Sequence, residues 1–180
     1  MRKWSWIWLL VLGCQSPEKM YQSEKEALIE RAEPLTDARF DLVTLATLPP
    51  TLQQYLKATG YADAAVQFQA EVHWEKCWLK LGFGREWGEM RMQQFNSVQP
   101  LGRLAYMAFE DMPVSGRDKY LDGKGEMKGK LFGLFPVISG SGGPVSQSAL
   151  ITTMAEFVLM PAYFLQDYVE LEEIKSGQVR

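Results

Sequence analysis

Val66-Gln67-Phe68-Gln69-Ala70-Glu71-Val72-His73-Trp74-Glu75 decides the fold, because apolar and polar residues alternate through all ten positions. Side chains of a strand point to opposite faces in turn, so a strict period of two marks a strand with one apolar and one wet face. Cys77, Leu79, Leu81 and Phe83 repeat the alternation, which predicts a second strand after a short turn. Further strand-forming runs cover Trp87 to Val98, Arg103 to Met112 and Val114 to Leu121. Twelve of the 15 glycines fall between Gly82 and Gly143, at hairpin-like intervals, so the runs read as an antiparallel meander.

Helical patterns lie on both sides. Pro50 suits a first turn, Leu52, Tyr55 and Leu56 share a face, and Gly60 supplies a stop. Val145 to Met160 predicts another helix, which Pro161 ends. Tyr168 to Ile174 reads as a strand and Lys175-Ser176-Gly177 as a turn, so the return strand after it is incomplete and a longer parent domain is expected. The expected class is α+β, a curved, half-barrel-like antiparallel sheet with helices on one face.

The N-terminal segment is a separate object. Arg2 and Lys3 precede an apolar run from Trp4 to Leu12, which is too short to span a bilayer and suits the apolar region of a signal peptide. Val11-Leu12-Gly13-Cys14 resembles the lipobox of bacterial lipoproteins, which implies cleavage after Gly13 and lipidation of Cys14. Gln15, rather than an aspartate, follows the cysteine, and in that pattern this favours the outer membrane. The expected location is the cell envelope, anchored by lipid at the periplasmic face of the outer membrane. The division expected is a signal peptide over 1–13, a lipidated tether and spacer over 14–37, and one α+β domain over 38–180. Ser23-Glu24-Lys25-Glu26 has a capping-box pattern and predicts a short helix inside the spacer.

The composition narrows function further. The 180 residues are 47% hydrophobic and 23% charged, as in a globular protein. With 19 basic and 22 acidic residues there is no cationic excess for nucleic acid. Without Arg2 and Lys3, 17 basic residues face 22 acids, a net charge of −5. Cys14 taken by lipid leaves Cys77 with no disulfide partner, and it reads as a small hydrophobe.

Gly116-x-Asp118-x-Tyr120-x-Asp122-Gly123-x-Gly125-x-Met127 and Leu131-x-Gly133-Leu134-x-Pro136-Val137 look like the signature of an uncharacterised bacterial domain family of unknown function. Leu48-Pro49, Tyr55-Leu56, Trp87, Gln94, Gly143-Pro144, Glu156 and Pro161 extend the likeness over residues 48 to 165. Thr152 stands where an arginine is common and Leu159 where a tryptophan is. The family brings no activity with it. By fold analogy, a lipoprotein with a meander and covering helices is similar to the lipoprotein-carrier and lipoprotein-receptor half-barrels, whose concave apolar surface holds acyl chains.

Candidate sites are few. Glu71, His73 and Glu75 share a strand face and could meet a metal, but an amphipathic strand carries charge on its wet face anyway, so no metal is expected. One histidine and no G-x-S-x-G elbow argue against hydrolysis by Ser139, Ser141, Ser146 or Ser148. Ser139-Gly140-Ser141-Gly142-Gly143 lacks phosphate-loop spacing and reads as a crossover. Asp118, Asp122 and Glu126 do not have EF-hand spacing, and turn chemistry accounts for them. Asp118 and Glu156 form the candidate polar site; Glu156 lies in an apolar helix and must reach water or a partner. Phe132, Phe135, Met154, Phe157, Met160 and Phe164 form the candidate hydrophobic ligand surface, with ordinary core as the alternative. No cofactor is implied. The function expected is non-catalytic binding of a lipid or other hydrophobic ligand by a lipid-anchored envelope protein. The alternative is a structural module that docks an envelope protein partner.

Overall fold

The computed structural model describes residues 15–32, 38–80, 82, 84, 86–175 and 178–179. The leader, the lipobox and Cys14 lie outside the described residues, as do Leu81 and Phe83. Six strands form one open, curved antiparallel sheet in sequence order, β1 (Gln69–Lys80), β2 (Trp87–Ser97), β3 (Gly102–Phe109), β4 (Val114–Leu121), β5 (Lys124–Leu131) and β6 (Phe135–Ser141). With the helices α1 (Pro17–Arg31), α2 (Leu42–Ala46), α3 (Pro50–Ala58) and α4 (Gly143–Ala155), this is the expected α+β class.

The alternating stretch becomes one strand rather than two. A register shift between Trp74 and Cys77, an extra residue in β1, replaces the expected turn. Such a bulge keeps Trp74 and Cys77 on the same face despite their odd spacing. Asp122-Gly123 closes the β4–β5 hairpin with φ of 52° and 74°, the left-handed pair that Asp-Gly supplies most easily.

Pairing partners line up into rows across the sheet. One row is Trp74, Met92, Met107, Gly116, Gly129 and Ile138. The next is Val72, Gln94, Ala105, Asp118, Met127 and Gly140, and the third is Ala70, Asn96, Arg103, Tyr120 and Gly125. All of these point to one face. The family-like motif is the period-two register of that face, since Gly116, Asp118, Tyr120, Gly125 and Met127 all belong to it.

Helices cover both faces, not one. α4 lies over the face just described: a Cβ at Gly125 would stand 2.6 Å from Val145 O and 2.7 Å from Ser146 Cα. α1 lies on the other face, where Gly102, one position from Arg103, meets Leu28. The helix expected in the spacer begins earlier, with Ser16 Oγ accepting from Lys19 N, and docks through buried Tyr21 and Leu28 on Phe95 and Leu104. The pattern at Ser23 misplaced the start because Ser16-Pro17 is itself a cap followed by a first-turn proline.

α3 matches expectation, with Leu52 and Leu56 buried and Gly60 at φ 81° beyond its end. α4 stops at Ala155, and Phe157–Leu159 and Pro161–Leu165 are 3₁₀ turns. They carry Phe157, Met160 and Tyr163 into a core with Phe40, Leu45, Leu48, Leu56, Val66 and Val98. The expected strand before the last turn shortens to β7 (Glu173–Lys175), which pairs with β8 (Gln178–Val179).

Because backbone atoms of α4 occupy the space beside Gly125, Gly125→Ala should push α4 off the sheet. The expected cost is about 2 kcal/mol, at the middle of the range for overpacking. Chemical denaturation checks it, and an unchanged midpoint would contradict this packing.

Candidate functional site

Four strand positions that should be apolar by phase are polar: Gln94 and Asn96 on β2, Arg103 on β3 and Asp118 on β4. They converge below the end of α4, where Glu156 is the capping residue. Arg103 donates from Nη1 to Asp118 Oδ2 at 2.7 Å and from Nε to Glu156 Oε2 at 2.9 Å. Gln94 Nε2 donates to the same Glu156 oxygen at 2.5 Å and to Asn96 Oδ1 at 3.1 Å. Gln94, Asn96 and Arg103 are buried, while Asp118 and Glu156 keep partial access to solvent.

The two residues proposed as a polar site are therefore brought together, by an arginine that the sequence reading did not single out. The signal for Arg103 was its phase: Arg103, Ala105 and Met107 alternate onto the covered face, where a charge needs partners. Glu156 finds its partner where the α-helix gives way to a 3₁₀ turn. Tyr163, stacked on Phe157 with centroids 4.2 Å apart, lies close enough that burial first, then Tyr168 and Glu156, push its hydroxyl above the ordinary tyrosine range. With one guanidinium between two carboxylates, the cluster carries an excess negative charge at its accessible edge. It can pin α4 to the sheet and accept hydrogen bonds.

The neighbouring row is apolar throughout. Gly116 and Gly129 face each other at its centre and contribute no side chains, with Met107 on one side and Ile138 on the other. A Cβ at Gly116 would meet only Lys128 O at 3.5 Å and Met107 Cε at 3.7 Å, so no atom of α4 comes within 4 Å of that position. The row is an apolar strip beside the polar cluster, with Met107, Gly116 and Gly129 buried and the Ile138 side chain lying against Gly129.

The six residues expected to form a hydrophobic ligand surface do not converge. Phe157 and Met160 are buried and Phe164 packs against the same core. Phe132, Phe135 and Met154 are exposed. The break at Ala155 turns the first three inward, whereas the others lie at the β5–β6 hairpin and on the outer side of α4.

The other candidates have structural partners. Glu71 accepts from Lys25 Nζ at 2.9 Å and Tyr21 Oη at 3.4 Å, both from α1, with His73 Nε2 3.5 Å away. Burial would raise its pKa, but Lys25, His73 and Tyr21 together hold it below the usual carboxylate range. Ser139 to Ser141 belong to β6 rather than to a loop, and Ser146 Oγ accepts from Gly125 N while donating to Gly142 O. Asp122 pairs with Arg31 and Glu126 with Arg117. Cys77 is half-buried, donates toward Met90 O at 3.4 Å, and burial raises its thiol pKa.

A family model described as a family of unknown function (DUF6544) matches residues 38–180. No curated protein and no solved structure matches the chain.

Proposed function

We propose that this chain, which belongs to that family of unknown function, is a lipid-anchored protein of the cell envelope that holds a lipid or other hydrophobic ligand and performs no chemistry on it. The observation that carries the ligand reading is the apolar row from Trp74 to Ile138, which we take as the trough for the ligand, with Gly116 and Gly129 at its centre and the Asp118–Arg103–Glu156 cluster alongside. Methionines at 90, 92, 107 and 127 share this face, and their flexible thioethers adapt to varied apolar shapes. The excess carboxylate favours an amphiphile whose polar end donates hydrogen bonds or carries positive charge.

Met92 and Ile138 are half-buried on the trough, so Met92→Glu with Ile138→Glu should place charge in it without emptying the core. Binding of a fluorescent fatty alcohol should weaken by tenfold or more, about 1.4 kcal/mol, with an unchanged circular dichroism spectrum. Equal binding by the variant would contradict this location. The anchor rests on Val11-Leu12-Gly13-Cys14 and its place after a basic and apolar run. Labelling with radioactive fatty acid should disappear in Cys14→Ser, placing lipid attachment at that residue.

A further inference from the structure

A six-stranded meander puts its β1–β2, β3–β4 and β5–β6 connections at one end of the sheet. The three share an unusual property. Trp78, Trp87, Met112, Phe132, Leu134, Phe135 and Val137 are all exposed there, with Trp87 at 62% and Phe132 at 66%. Single exposed apolar residues are ordinary, but large ones at every tip of one end form an interaction surface. Phe132 is poorly suited even to its own backbone, since φ is +52°, where bulky residues are rarely found.

The chemistry of this end fits a bilayer interface. Tryptophan and lysine are the residues of the membrane boundary, and Lys76 and Lys80 lie over the rings of Trp78 and Trp87 at 5.5 and 5.9 Å from their centroids. Lys76 also pairs with Glu89 and Arg91 with Glu110, so the end is not strongly cationic and gains its attraction from apolar insertion rather than from anionic lipid.

The position of the first described residues agrees independently. Lys130 Nζ donates to Gln15 O at 2.7 Å, and a Cβ at Gly133 would stand 3.5 Å from Ser16 Cβ, so residues 15 and 16 lie at the β5–β6 tip. From there α1 runs to the opposite end, where Arg31 meets Asp122 in the β4–β5 turn. Cys14 is one residue from Gln15.

We propose that the hairpin end of the sheet docks on a lipid bilayer, its tryptophan and phenylalanine tips entering the interface at the end next to Cys14. The bilayer contact orients the domain and does not depend on the trough holding a ligand.

The test uses Cys14→Ser protein made without its leader, with phosphatidylcholine–phosphatidylethanolamine vesicles. Its tryptophans are Trp74, Trp78 and Trp87. Variants retaining one each, the others changed to phenylalanine, are read with lipids brominated along the acyl chain. Trp78 and Trp87 should shift to the blue and be quenched; Trp74, roughly 10 Å or more further along the strands, should not. Phe132→Ser, Leu134→Ser and Phe135→Ser combined should weaken vesicle binding at least tenfold, with unchanged melting and little effect of 0.5 M salt on the parent. The trough variant Met92→Glu with Ile138→Glu should bind vesicles normally. No vesicle binding, equal quenching of all three tryptophans, binding lost in salt, or self-association through this end in place of vesicle binding would each overturn the proposal.

Discussion

Arg103→Met is expected to destabilise the protein by about 3–5 kcal/mol, because removing one member of a buried ion pair leaves the other charge without compensation. Arg103 serves two carboxylates, and among the described residues no other cation pairs with Asp118 or Glu156. Their partial exposure places the cost nearer the lower limit. At about 2–4 °C per kcal/mol for a chain of this length, melting should fall by roughly 6–12 °C. Adding Glu156→Gln removes one stranded charge and keeps the hydrogen-bonding shape. The double variant should regain about 1–2 kcal/mol over Arg103→Met, as coupling between contacting groups allows. Simple additivity of the two losses would show that the pairing contributes nothing.

Arg117→Met should cost about 3 kcal/mol and loosen α1 in particular. Arg117 is fully buried on the opposite face, joining Glu24 of α1 to Glu126 of β5. Its loss is tempered by Lys119, 2.7 Å from Glu24, and Lys128, 3.2 Å from Glu126, which remain as partners. The same contacts make α1 acid-sensitive. Burial opposes ionisation of Glu126, but Arg117 and Lys128 hold its pKa below the ordinary value; Lys25 with His73 does so for Glu71, and Arg31 first of all for Asp122. A depressed folded pKa gives stability that is present above the unfolded value, about 4 for these carboxylates, and is lost as pH falls through the folded value. Hydrogen exchange in α1 should therefore accelerate below pH 4 before exchange in β3 and β4. Simultaneous acceleration of all three would contradict α1 being held mainly by these pairs.

What the sequence revealed follows from how local each signal is. Period two from Val66 to Glu75 and the Asp122-Gly123 turn are properties of neighbouring residues, so the meander and β4 were legible. The bulge after Trp74 was not, because an extra residue is defined by the partner strand. The side on which each helix packs was equally hidden: Gly125 and Gly102 receive different helices, and only pairing register shows that they face opposite ways. Glu156 stood out as an acid among apolar neighbours, whereas Asp118 lies between Arg117 and Lys119 and gave no such signal. Arg103 could have been found by phase, yet its link to residues 15 and 53 positions away in sequence is a product of folding. The aromatic set divided because chain reversal after Ala155, rather than composition, decides which aromatics turn inward.

The proposed hydrophobic ligand would lie beside the Asp118–Arg103–Glu156 cluster. Mass spectrometry of organic extracts from the gently purified, natively expressed protein tests this most directly, with Met92→Glu, Ile138→Glu protein extracted in parallel. A bound amphiphile is expected at near-stoichiometric amount in the parent and should be lost from the variant. An extract containing only the lipid attached to the chain, in both proteins, would contradict it.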